Sequence, residues 1–77
     1  MKGAVVETRI FNRAVSVFSS DGARSEMFKR GDRVKHIRRI ARGVIFEPVD
    51  PYHVAGTYSM EWSEFVMSTV AVAAAGA

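Results

Sequence analysis

Between Lys29 and Arg42 the chain places seven basic side chains, Lys29, Arg30, Arg33, Lys35, Arg38, Arg39 and Arg42, with His36 and a single acid, Asp32. Cations at this density neutralise several backbone phosphates, and neighbouring arginines grip phosphate or carboxylate oxygens in pairs. Single-stranded nucleic acids also need exposed rings for their bases to stack on, and Tyr52 and Tyr58 are the candidates for that part. Phe46 and Trp62 fall where a barrel core would take them. The simpler alternative for the whole stretch is a solvated charged surface.

Other chemistry is thin. The chain has no cysteine, hence no thiolate nucleophile, disulfide or cysteine-based zinc site, and two histidines, His36 and His53, are too few for a histidine-rich metal centre. Neither phosphate-loop and dinucleotide glycine patterns nor a metalloprotease H-E-x-x-H occurs. Glu61 and Glu64 face one another only on a helix, where two exposed acids are usually a solvated face. His53, beside Tyr52 in a proline-bounded turn, is either a ligand contact or, more simply, a surface histidine. No catalytic residue, cofactor or metal is expected.

The elements that must carry these groups are few. Seventy-seven residues, 48% hydrophobic and 25% charged, suit one small globular domain. All eleven Lys and Arg lie in residues 1–42 with four acids (+7), whereas residues 43–77 hold four acids and no base (−4). Such a split attracts an acidic partner or a complementary second copy unless the fold intermixes the two segments. No segment has the form of a signal peptide or the ~20 apolar residues needed to span a bilayer, so a soluble cytoplasmic protein without membrane contact is expected.

Residues 1–26 are rich in Val, Ile and Phe and are read as an N-terminal hairpin, turning at Phe11–Ala14 and ending at Ser19–Gly22; a helix through Ile10, Ala14, Val17 and Phe18 is the competing pattern. Residues 32–42 are open to two readings. As a helix, Asp32 caps and Val34, Ile37, Ile40 and Ala41 form a stripe; as strands, Gly31-Asp32 turns into "RVKHI", "RRIAR" is a loop and "GVIFEPV" returns. Pro48 and Pro51 end that strand. "HVAGTYSMEW" reads as another strand with Gly56 marking a bulge, "SEFV" as a turn of 3₁₀ helix and "MSTVAV" as the last strand, although residues 61–75 also satisfy helical spacing. The end "VMSTVAVAAAGA" offers apolar strand surface for self-association, and residues 73–77 read as a tail.

From residue 27 to 72 the order of features resembles the small SH3-like barrels of the F-x-x-G-D-x-V kind, here Phe28, Gly31, Asp32 and Val34. These include KOW-like barrels of nucleic-acid-handling proteins and many small phage or plasmid proteins. The resemblance implies an all-β SH3-like barrel over residues 27–72, with an α+β fold carrying a C-terminal helix as the alternative. It also resembles the type II dihydrofolate reductases, which share Gly31-Asp32-Arg33-Val34. There the resemblance fails at the ligand-binding positions. His36 stands where that family has its anion-binding base, and Phe65, Val66, Met67 and Ser68 replace its Val-Gln-Ile-Tyr segment. The function expected is therefore a non-catalytic binding module, using the basic loop centred on Arg38, Arg39 and Arg42 against nucleic acid or an acidic protein surface. A protein-binding or self-assembling regulator is the second expectation, and a reductase-like enzyme a distant third.

Overall fold

The structure, a computed structural model, describes residues 8–72. The described chain runs β1 (Thr8–Phe11), β2 (Val15–Ser19), β3 (Ser25–Phe28), β4 (Arg33–Ile40), β5 (Gly43–Pro48), β6 (Tyr58–Met60), α1 (Trp62–Ser68) and β7 (Thr69–Val72). The strands form one antiparallel sheet in the order β3-β2-β6-β5-β4-β1-β7, curled into a half-barrel. This is the all-β, barrel-like architecture that the resemblance implied.

Alternation decides which side each residue takes. On β2, Val15, Val17 and Ser19 point inward and are buried, while Ser16 and Phe18 point out. The core consists of Phe11, Val15, Val17, Phe28, Val34, Val44, Phe46, Tyr58 and Phe65, with Ile37, Met60 and Trp62 packed against it. Phe28 anchors the aromatic part, with ring centroids 5.2 Å from Phe11, 5.8 Å from Phe46 and 5.2 Å from Tyr58. Tilted and edge-on pairs of this kind add to the value of the buried area alone.

Several local expectations are corrected. The N-terminal hairpin is absent among the described residues: β1 lies between β4 and β7, whereas β2 pairs with β3 and β6. The Phe11 N–H donates to the Asp32 carbonyl and its carbonyl accepts from Gly31, while Asn12 N–H goes to Ser68. The backbone at the first turn is thus committed to distant partners and cannot fold back on β2. The local hairpin is β2–β3 instead, closed at Gly22, whose φ of 75° suits glycine. The stretch Arg38–Ile40, expected in a loop, continues β4, and only Ala41 and Arg42 turn the chain, because Ile40 pairs with Gly43.

Residues 54–57 are loop and not strand, and Gly56 lies there and not at a bulge. Residues 62–68 form a seven-residue α-helix where a 3₁₀ turn was expected. It ends where Thr69 turns extended, its hydroxyl donating back to the Phe65 carbonyl at 2.7 Å. A strand follows at once, so the α+β alternative with a terminal helix does not apply. The tail, 73–77, lies outside the described residues.

Candidate functional site

The β4–β5 hairpin determines where the cations go. Lys35 pairs with Glu47 and Arg38 with Ile45, so His36 and Ile37 together oppose Phe46. This is a β-bulge, and His36 at its centre has φ 53°. On a regular strand, residues three apart face opposite sides. The extra residue resets the alternation, and Lys35 and Arg38 both point to the outer face, as do their partners Glu47 and Ile45. Arg39, the next residue, points the other way and lies over the Trp62 ring, 4.2 Å from its centroid.

The seven sequence-predicted cations therefore separate. Lys29 and Arg30 are exposed in the β3–β4 turn, and Lys35 and Arg38 share the outer face. Arg42 sits in the β4–β5 turn beside a groove lined by Phe18, Ile40, Ser59, Glu61 and Glu64. None of these five makes an ion pair among the described residues. Two others are engaged internally. Arg33 binds Asp50 at 3.0 Å, and Arg39 is spent on Trp62. A cationic tip built from Arg38, Arg39 and Arg42 together does not form, since strand alternation sends Arg39 to the far side.

The predicted stacking pair also separates. Tyr52 is two-thirds exposed, but Tyr58 is fully buried among Phe28 and Phe46 and offers no surface to a base. Trp62 is half-buried instead of lying in the core, and Phe46 is buried as expected. An aromatic that sequence reasoning missed takes the outer position. Phe18, 59% exposed, pairs with Ser59, which pairs with Ile45, which pairs with Arg38, so the four form one row across β2, β6, β5 and β4. The available signal was the polar alternation of Val-Ser-Val-Phe-Ser, which puts Phe18 opposite to Val17.

His53 is not a surface histidine. Its ring lies flat on Phe28 at 4.0 Å, with Nε2 2.8 Å from Asp32 Oδ2 and Nδ1 3.2 Å from Glu26 Oε1. Both ring nitrogens thus face carboxylate oxygens. Asp32 also accepts from the Lys29 N–H at 2.8 Å and from the Tyr52 hydroxyl. Glu26 accepts from the Tyr58 hydroxyl at 2.6 Å and from the Val54 N–H.

The Tyr58 hydrogen bond above all, then Val54 and His53, holds the Glu26 carboxyl below its ordinary range against the opposing effect of burial. Burial, and then the hydrogen bond to Glu26, pushes the Tyr58 hydroxyl up. Asp50 is also lowered: burial acts upward on it, but the Arg33 N–H and guanidinium outweigh that effect. The His53 side chain is 3% exposed with both nitrogens engaged, so it presents no free base to a substrate. Its evident role is to rivet the 50–54 loop to β3 and to the turn that launches β4.

Gly43 completes the positioning. A Cβ there would lie 2.1 Å from the Met60 carbonyl oxygen, so β5 and the end of β6 can approach this closely only at glycine. No protein-family model, curated protein or solved structure matches the chain.

Proposed function

We propose that this chain is a small non-catalytic binding module, an SH3-like barrel in type, that takes the phosphate backbone of a nucleic acid on its outer face. The observation that carries the reading is the bulge at His36. It puts Lys35 and Arg38 on one face, with Arg42 at the hairpin turn, and leaves all three without an ion pair among the described residues. A sheet whose cations served only solubility would gain nothing from an irregularity that gathers them. Phe18, in register with Arg38, supplies an exposed ring for a base.

Several features support a non-catalytic reading over a reductase-like one. Phe65 and Ser68 are buried within α1, and the buried histidine is held by two carboxylates. Among the described residues no helix is long and apolar enough to cross a membrane.

The test is a salt series with a labelled single-stranded oligonucleotide. Each phosphate contact contributes a slope of roughly −0.7 in log–log form for single strands, so three contacts lower affinity about 20-fold between ~50 and ~200 mM salt. The variant Lys35→Gln/Arg38→Gln/Arg42→Gln is expected to flatten that slope, while Phe18→Ala weakens binding and leaves the slope alone. Absence of binding at low salt, or an unchanged slope in the triple variant, overturns the proposal. In that event the cations of this face, with Phe18, Ile40 and Ile45 as apolar contacts beside them, favour an acidic protein surface as the partner.

A further inference from the structure

A sheet curled into a half-barrel leaves two edges, and here they differ. The β3 edge, Ser25–Phe28, carries Glu26 and is flanked by Arg24 and Lys29, so charge guards it. Nothing among the described residues covers β7 on its far side. Exposed edges are normally blunted by charge, proline or a bulge. Thr69–Val72 carries none of these, and no charged residue occurs from Phe65 to Val72.

The hydrogen-bond phase of β7 follows from one contact. Phe11 pairs with Thr69, and the Asn12 N–H donates to the Ser68 carbonyl at 2.8 Å. That bond makes Phe11–Thr69 a wide, non-hydrogen-bonded pair, so Ile10–Val70 and Thr8–Val72 are the bonded ones. The backbone N–H and carbonyl of Ala71 therefore point away from β1, toward the open edge. Thr69, the other residue in that phase, already gives its carbonyl to Arg9 at 3.1 Å.

We infer that β7 pairs antiparallel with β7 of a second copy of this chain about a two-fold axis at Ala71, making a dimer with one continuous sheet. Three observations select a second copy as the occupant. An uncharged strand is its own complement, so the axis brings no like charges together although the chain carries a net +3. Directly opposed residues must point to the same face, and a pairing centred on Ala71 meets that condition, setting Val70 against Val72 of the second copy twice over. Those valines are 49% and 40% exposed in the single chain and become cross-strand partners in the dimer. The charged β3 edge disfavours further addition, so the assembly closes at two.

The pairing also has a consequence for the binding face. A two-fold axis perpendicular to the sheet keeps both outer faces on one side. Five strand spacings separate one β4 from the other, so the two Lys35–Arg38 rows lie about 24 Å apart on a common surface, less any curl.

Sedimentation equilibrium of the full chain without nucleic acid, from low to high micromolar concentration, is the test. The wild type is expected to shift from monomer to dimer. Ala71→Pro removes the N–H at the axis while leaving the β1 ladder intact, and it weakens association about tenfold or more. Val72→Lys places a charge against the partner's Val70 and is expected to do the same. Because the chain has no cysteine, an Ala71→Cys variant can crosslink only to its own copy, across a pair whose Cα separation of ~5.5 Å suits a disulfide.

A wild type that stays monomeric throughout overturns the inference, as does a dimer that persists in Val72→Lys with its melting temperature unchanged. Val72→Lys decides the matter if Ala71→Pro does not fold. These outcomes are read without nucleic acid and leave the binding proposal to its own experiment.

Discussion

Replacing His53 tests the tertiary rivet most directly. A 77-residue chain of ordinary stability has about 4–12 kcal/mol to lose. His53→Ala removes the ring nitrogens that bridge Asp32 and Glu26 and the ring stacked on Phe28. Leaving a buried polar group without a hydrogen-bond partner costs about 1–3 kcal/mol, more where it is charged. About 3 kcal/mol is expected for the two carboxylates together, because Asp32 keeps Lys29 and Tyr52 and Glu26 keeps Tyr58 and Val54. The stack adds about 1 kcal/mol. The expected total of about 4 kcal/mol lowers the melting temperature by about 15–30 °C.

His53→Phe separates the two contributions, since it retains a ring on Phe28 and loses only the ring nitrogens. Urea unfolding of His53→Phe should show a loss of about 3 kcal/mol. In a double-mutant cycle with Asp32→Asn, the two effects should fall short of additivity by about 1 kcal/mol or more. A His53→Phe protein within about 1 kcal/mol of wild type would refute the hydrogen-bond account and leave stacking as the sole role of the ring.

Other outcomes follow from the same geometry. Gly43→Ala forces a Cβ against the Met60 carbonyl, a backbone atom with little room to yield, and should cost about 1–3 kcal/mol or more in urea unfolding. Glu26 and Asp50 both have depressed acidities in the folded state, so their contribution is complete above the usual carboxylate range and is lost as pH falls through it. Urea midpoints should be flat from neutral pH to about 5 and decline below about 4.5, with a shallower decline in Glu26→Gln.

How much of this was legible in the chain depends on whether a feature is local. The inward Val15 and Val17, the glycine turn at Asp21-Gly22, the Gly31-Asp32 turn and the buried Phe46 all follow from alternation and turn chemistry within a few residues. Those signals marked single strands and turns, whereas the all-β barrel was expected from the resemblance. They were not sufficient for pairing. Nothing near Phe11 in the chain announces that its neighbours are Asp32 and Thr69, because the choice is made where the core closes on residues twenty or more positions away.

The same division runs through the candidate site. Seven cations in one stretch were evident from composition, but their sides were not, since one extra residue at His36 reverses every assignment after it. Tyr58, expected to be open to stacking, is buried for a similar reason. The loop that leads into β6 sets its ring among Phe28 and Phe46, whereas alternation within β2 is enough to turn Phe18 to solvent. By itself, then, the sequence determined the strand periodicity, the turns and the excess of positive charge. Tertiary structure alone decided which cations stand free on a common face, which histidine is buried, and which edge is left open. Those properties depend on contacts between residues far apart in the chain, and local propensity carries no information about them.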